Sequence, residues 1–175
     1  MICGDKKIRF MVESGELTIE PLGNDTIREN GCDLSIGNEY WVLNKHVPKN
    51  KALNVNDGMK DTSIYYNKNT AKDGKILIEK NKRYLLTTIE YIEMPKNVMG
   101  FCNLRSTLAR YGIIIPPTIV DANFKGQLTI ELIGSSFDIE IPVGFRFLHI
   151  IFAETTEVEK LYNGKFQGQK GITVK

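Results

Sequence analysis

Six residues, Arg105-Ser-Thr-Leu-Ala-Arg110, set two guanidinium groups beside two hydroxyls, and two isolated acids follow, Asp121 and Glu131. Guanidinium groups, hydroxyls and the free backbone N–H groups of a turn all donate hydrogen bonds, so such a turn can hold an anion. Inside a long helix the same arginines would point to different faces and form a solvated surface. The segment lies between two extended runs, VMGFCNL and YGIII, which predicts a short turn or helix linking strands. Its composition leaves both the phosphate site and the bland surface turn open.

Glu131 sits in QLTIELIG, where Leu128, Ile130 and Leu132 alternate with Gln127, Thr129 and Glu131. On a strand, Thr129 and Glu131 therefore share the face opposite the apolar residues, which periodicity alone assigns to solvent. Asp121 ends the apolar run TIV and, by composition, starts a turn. Other chemistries lack their residues. A zinc-dependent nucleobase deaminase needs a His/Cys cage with H-x-E and P-C-x-x-C motifs. Neither of the two histidines, His46 and His149, precedes a Glu by two residues. The phosphate-binding loop, dinucleotide fingerprint, nucleophile elbow and H-E-x-x-H patterns are also missing. His149, inside FRFLHIIF, reads as a packed, hydrogen-bonded strand residue.

The elements that must position these groups form one domain. At 175 residues and 42% hydrophobic composition, the chain can bury one substantial core. Its formal charge of +2 lacks the basic face that a nucleic-acid polymer requires, although a small anion remains an option. The opening MICGDKKIRF turns charged at once, and no apolar run reaches the ~20 residues of a membrane span, so a cytoplasmic protein without a membrane partner is expected. Cys3, Cys32 and Cys102 form no C-x-x-C pair and read as reduced structural thiols.

DKKIRFMVESG spaces Ile8, Met11 and Val12 as a short amphipathic helix, with Asp5 as N-cap and Gly15 past its end. ELTIEPL alternates as a strand, and DTIRENGCDLSIGNEYWVL mixes turn residues with an extended run. Residues 44–75 hold seven lysines, six asparagines and three aspartates without a clear apolar period, which predicts a polar surface excursion. From Ile76 onward, KILIE, RYLLTTIEYIEM, VMGFCNL, YGIII, GQLTIELIG, FDIEIP and FRFLHIIFAE are extended runs separated by turn signals about every ten residues. That spacing predicts a mainly β fold, an antiparallel barrel or sandwich. The glycine-rich end, residues 162–175, reads as a surface tail.

In order, RSTLAR, PPTIVDANFKGQLTIEL, GFRFLHIIF and YNGKFQGQKG resemble the dCTP deaminase family, whose members share fold and trimeric assembly with the dUTPases. The likeness spans about Val98 to Thr173, and DTIRENGCDLSIG is similar to the family's early Asp-Leu segment. The resemblance implies a distorted, jelly-roll-like β-barrel of the dUTPase-like fold with few helices beyond the N-terminal one. It also implies a single domain over residues 1–175, assembled as a homotrimer with active sites between subunits.

On this resemblance Arg105, Ser106, Thr107, Leu108, Ala109 and Arg110 hold the triphosphate, with Ser106 and Arg110 also serving the catalytic centre. Asp121 receives the deoxyribose 3′-hydroxyl, and Glu131, on the strand segment with Thr129 and Ile130, is the base. Tyr162, Lys165 and Gln169 belong to a tail that closes over the nucleotide, with Lys165 on phosphate and Gln169 near the base or phosphates. The implied reaction converts dCTP to dUTP and ammonia without zinc, with Mg²⁺ carried by the triphosphate. Related ligands are dUTP and dTTP. Two alternatives stay open: a bifunctional enzyme that continues to dUMP and pyrophosphate, and a non-catalytic nucleotide-binding barrel. Two departures stand out. Asn123 replaces a Gly common in relatives but tolerates a left-handed backbone, and Pro116 and Pro117 offer no N–H.

Overall fold

The computed structural model describes residues 1–174; Lys175, the last residue of the expected tail, lies outside the described residues. Helix α1 (Asp5–Glu13) buries Ile8 and Met11, one turn apart, on a single face. Asp5 is not its N-cap. Gly4 occupies that position in an extended conformation, and Asp5 is the first helical residue, where its carboxylate meets the positive end of the helix dipole. Gly15 follows the helix at φ 76°, the left-handed conformation that terminates helices and favours glycine.

Among the described residues eleven strands follow, and every pairing between them is antiparallel. They are β1 (Thr18–Glu20), β2 (Ile27–Arg28), β3 (Gly31–Leu43), β4 (Tyr66–Thr70), β5 (Lys75–Ile78), β6 (Arg83–Glu93), β7 (Val98–Leu104), β8 (Thr118–Val120), β9 (Lys125–Ile133), β10 (Ile139–Pro142) and β11 (Arg146–Glu154). Helix α2 (Ser106–Arg110) joins β7 to β8. The main sheet runs β1-β6-β3-β11-β7-β8, with β9 on β6 and β2 and β4 on β3, while β5 and β10 form a separate ribbon.

The two longest strands bend this sheet around the core. β3 pairs with β11 through its first half and with β6 and β4 through its second, and β6 pairs with both β3 and β9. Register shifts between Ile36 and Tyr40 on β3, and between Thr87 and Tyr91 on β6, mark where the ladders turn; such irregularities increase local bend and twist. The result is the expected mainly β fold, its barrel expectation met by a curled sheet, with two short α-helices among the described residues. Leu34, Ile36, Phe147, Leu148, Ile150 and Phe152 fill its centre, each fully buried. At Gly31 a Cβ would come within 2.1 Å of the Ile150 carbonyl oxygen, so β3 and β11 approach here as closely as only glycine permits.

Several segments differ from their sequence patterns. The polar excursion is irregular through residue 65, with three 3₁₀ turns, but it then forms the ordered strand β4, and its last residue, Lys75, begins β5. β4 lies at an edge with mostly exposed side chains, so backbone pairing to β3 holds it and no apolar period marks it. YGIII is not a strand. It touches the sheet through one bridge, Ile114 to Ile133, and the next strand, β8, starts only after Pro116 and Pro117, which donate no N–H. Cys3, Cys32 and Cys102 are free and buried, and burial pushes the Cys32 and Cys102 thiols up to about 12.

Candidate active site

Strand β9 presents Glu131 through the alternation visible in its sequence. Leu128, Ile130 and Leu132 turn inward at 5%, 1% and 1% exposure, while Glu131 is exposed on the other face. Register places Glu131 opposite Leu85 of β6, which itself lies opposite Trp41 of β3. Beside Glu131 is a cavity of about 490 Å³. Its walls include Asp121, Thr129, Ile130 and Glu131, all expected from the sequence. Ile130 borders it although it is 1% exposed. The C-terminal tail supplies the opposite wall with Tyr162, Lys165 and Gln169.

The tail reaches this position through the turn after Asp121. Asn123 adopts φ 68°, and its side-chain amide donates to the Tyr162 carbonyl at 3.1 Å. Asn123 therefore keeps the left-handed turn and adds a clasp that glycine could not make. The Gln167 side chain donates to the Asn123 carbonyl at 2.8 Å and accepts from the Lys125 N–H at 2.8 Å. Tyr162 packs on Phe124, with ring centroids 5.8 Å apart. The Gln169 amide nitrogen donates to the Gln127 carbonyl at 2.6 Å, which leaves its side-chain oxygen buried without a partner.

The Arg105–Arg110 segment is elsewhere: none of its six residues lines the Glu131 cavity. Arg105 caps α2 and points down into the fold, where its Nε lies 3.1 Å from the carboxylate of Asp33 and its Nη1 donates to the Arg146 carbonyl at 3.0 Å. Asp33 is 3% exposed and also receives His149 Nδ1 at 2.8 Å and Arg146 Nη1 at 3.5 Å. His149 is thus the hydrogen-bonded strand residue its context suggested. Leu108 is in the core at 2% exposure, which leaves only its backbone for a ligand. Ser106, Thr107, Ala109 and Arg110 are exposed on the outer face of the turn, and Ala109 borders a separate groove with Pro116 and Pro117.

Two kinds of neighbour were not singled out by the sequence patterns. Ile119 of β8 and Phe124 line the cavity, but a three-residue edge strand and a turn aromatic carry no periodic signal. Tyr66, from the polar excursion, is half-buried against Trp41 with ring centroids 6.0 Å apart. Burial, and then the nearby Glu131 carboxylate, raise its phenol pKa. Among the described residues no cluster of three or more His, Cys, Asp or Glu side chains could hold a metal ion. No helix of the described residues is long and apolar enough to cross a membrane.

Known proteins share this fold or much of this sequence. The solved 2′-deoxycytidine 5′-triphosphate deaminase from Agrobacterium tumefaciens superposes with a TM-score of 0.67 at 19% identity, covering 86% of this chain. The chain spans 47% of that structure's length, so this likeness speaks for the fold. A dCTP deaminase from Acidianus ambivalens is 46% identical, over 99% of this chain and 96% of its own. One from Saccharolobus solfataricus is 47% identical, over 99% and 91%. A protein of Sulfolobus islandicus rod-shaped virus 1 named probable deoxyuridine 5′-triphosphate nucleotidohydrolase is 49% identical, over 99% and 98%. The family model described as dCTP deaminase-like matches residues 2–155, and with these near-full-length relatives it establishes that the chain belongs to the dCTP deaminase-like family.

Proposed function

We propose that the chain is a dCTP deaminase that hydrolyses dCTP to dUTP and ammonia, supplying dUTP toward dUMP and dTTP synthesis. One observation carries this reading: an exposed carboxylate on a rigid strand, Glu131, shares one cavity with Asp121 and with a tail that folds over it. Exchanging the cytosine amino group for oxygen requires water to attack the ring carbon bearing that group. The adjacent ring nitrogen gains a proton, and ammonia leaves. Glu131 accepts the proton of the attacking water and passes it on, a role that contributes ~10²–10⁴-fold. Asp121 accepts the 3′-hydroxyl of the deoxyribose, and Lys165 meets the phosphates.

The donors of α2 come from a neighbouring copy in a homotrimer. Ser106 and Arg110 orient the water and stabilise the developing charge, and Arg105 to Arg110 hold the triphosphate. Two features favour this assembly. The α2 donors lie outside the cavity of their own chain. Paired apolar side chains are also open to solvent, namely the cross-strand pair Phe101 and Ile119 at 41% and 55% and the bridge pair Ile114 and Ile133 at 59% and 38%. Exposed apolar groups clustered in this way mark association surfaces.

Magnesium enters with the substrate. It keeps several waters and binds phosphate oxygens, so it requires no cage of protein side chains, and neither does a zinc-free deamination. Three buried free thiols suit a reducing cytoplasm. A second reading, hydrolysis onward to dUMP and pyrophosphate, is favoured by the name of the viral relative. Incubating the protein with dCTP and Mg²⁺ separates them: ammonia with accumulating dUTP supports deamination alone, and ammonia with dUMP and pyrophosphate supports both steps. Binding without turnover points to the non-catalytic barrel.

A further inference from the structure

Closed over the cavity, the tail leaves the Gln169 side-chain oxygen buried and unpaired, an unfavourable arrangement. Other contacts must therefore hold residues 169–174 down, and they come from three strands. Gln127 of β9 is fixed by two donations from its own amide, to the Thr88 and Ile89 carbonyls at 3.0 Å each. Its side-chain oxygen then accepts the Gly171 N–H at 2.7 Å, and its backbone N–H donates to the Gln169 carbonyl at 3.0 Å. Thr129 accepts the Thr173 N–H at 3.1 Å.

Glu39 of β3 spans the remaining gap. One carboxylate oxygen accepts from the Trp41 indole N–H at 2.8 Å, and the other accepts from the Ile172 N–H at 3.3 Å. Ile172, 7% exposed, packs with Trp41 and Leu85 in a small apolar cluster separate from the main core. Gly171 fits this arrangement only as glycine. It has φ 66°, and a Cβ there would sit 2.7 Å from the second Glu39 oxygen.

We propose that Glu39 is a positioning residue: its two oxygens tie Trp41 to the tail backbone and so form the latch that keeps Gln169 and Lys165 over the Glu131 cavity. This rests on the deaminase reading for its effect on turnover, though not for its effect on the tail. Both Glu39 partners are N–H donors, so an amide in its place can satisfy one of them and must turn its own N–H₂ toward the other. Glu39→Gln, nearly isosteric, therefore opens the latch, and Trp41→Phe in the same chain removes the competing donor and restores it.

Hydrogen exchange on the full-length protein reads the latch directly. In Glu39→Gln the amides of Gly171, Ile172 and Thr173 exchange about tenfold faster or more, while core strand amides are unchanged. The double variant Glu39→Gln/Trp41→Phe recovers most of the protection. With dCTP, Glu39→Gln raises KM about tenfold with kcat nearly unchanged, the pattern of lost uniform binding. Wild-type exchange rates in Glu39→Gln, no recovery in the double variant, or faster exchange with unaltered dCTP kinetics would each overturn the proposal. Should the wild-type protein not turn over dCTP, the deaminase reading fails alone. The latch is then judged by exchange and by dCTP affinity from calorimetry.

Discussion

Glu131 and Arg110 are held by opposite kinds of structure. Glu131 stands on a nine-residue strand whose inward side chains are buried, and its own chain builds the cavity beside it. Arg110 ends a five-residue helix pinned from beneath by Leu108 and by the Arg105 to Asp33 pair, and its side chain faces outward. One half of the site is enclosed but lacks cationic donors from α2. The other offers donors without a cavity. In the proposed homotrimer these are complementary halves, which the symmetry would bring together in every site at once.

Breaking either half tests that contrast. Glu131→Gln keeps shape and removes the proton acceptor, so deamination falls ~10²–10⁴-fold with dCTP binding retained, measured by ammonia release and calorimetry. Arg110→Ala or Ser106→Ala removes a donor to the reacting centre and lowers kcat by ~10²–10³-fold, although neither residue touches the Glu131 cavity of its own chain. Asp33→Ala leaves Arg105 without its buried partner and costs about 3 kcal/mol of stability. Thermal unfolding reads that loss, and turnover falls with it because the base of α2 is released.

Removing the residues after Leu161 takes away one wall of the cavity and weakens dCTP binding about tenfold or more, checked by titration. The smallest effect lies away from both halves. Burial raises the pKa of Glu90, which accepts the Ser35 N–H at 2.8 Å. Its folded-state pKa therefore exceeds the unfolded value, and its contribution to stability is present below the unfolded pKa and lost as pH rises through the folded one. Glu90→Gln gains on the wild type across that rise, which paired melting curves from pH 4 to 8 detect.

The enclosed half was legible in the sequence because its signals are local. Alternation at Leu128, Ile130 and Leu132 fixes which way Glu131 points, and Asn123 marks a left-handed turn. What failed to show depends on residues far apart in the chain. Glu39 meets Ile172 across 133 positions, and neither has a neighbour that announces the contact. β4 and β8 are held by backbone pairing at edges, where side-chain patterns are weak. The guanidinium of Arg105 meets Asp33, 72 residues earlier, a pairing that no local pattern announces.

Mixing two inactive variants tests the shared site most directly. Glu131→Gln and Ser106→Ala are unfolded together, refolded as a 1:1 mixture, and assayed for ammonia release from dCTP. If each site combines Glu131 of one chain with Ser106 of its neighbour, random mixing leaves about one site in four with both wild-type residues, and activity returns to about a quarter of the wild-type level. If both residues serve the same site from a single chain, the mixture stays at the level of the two variants alone, and the account of two half-sites is wrong.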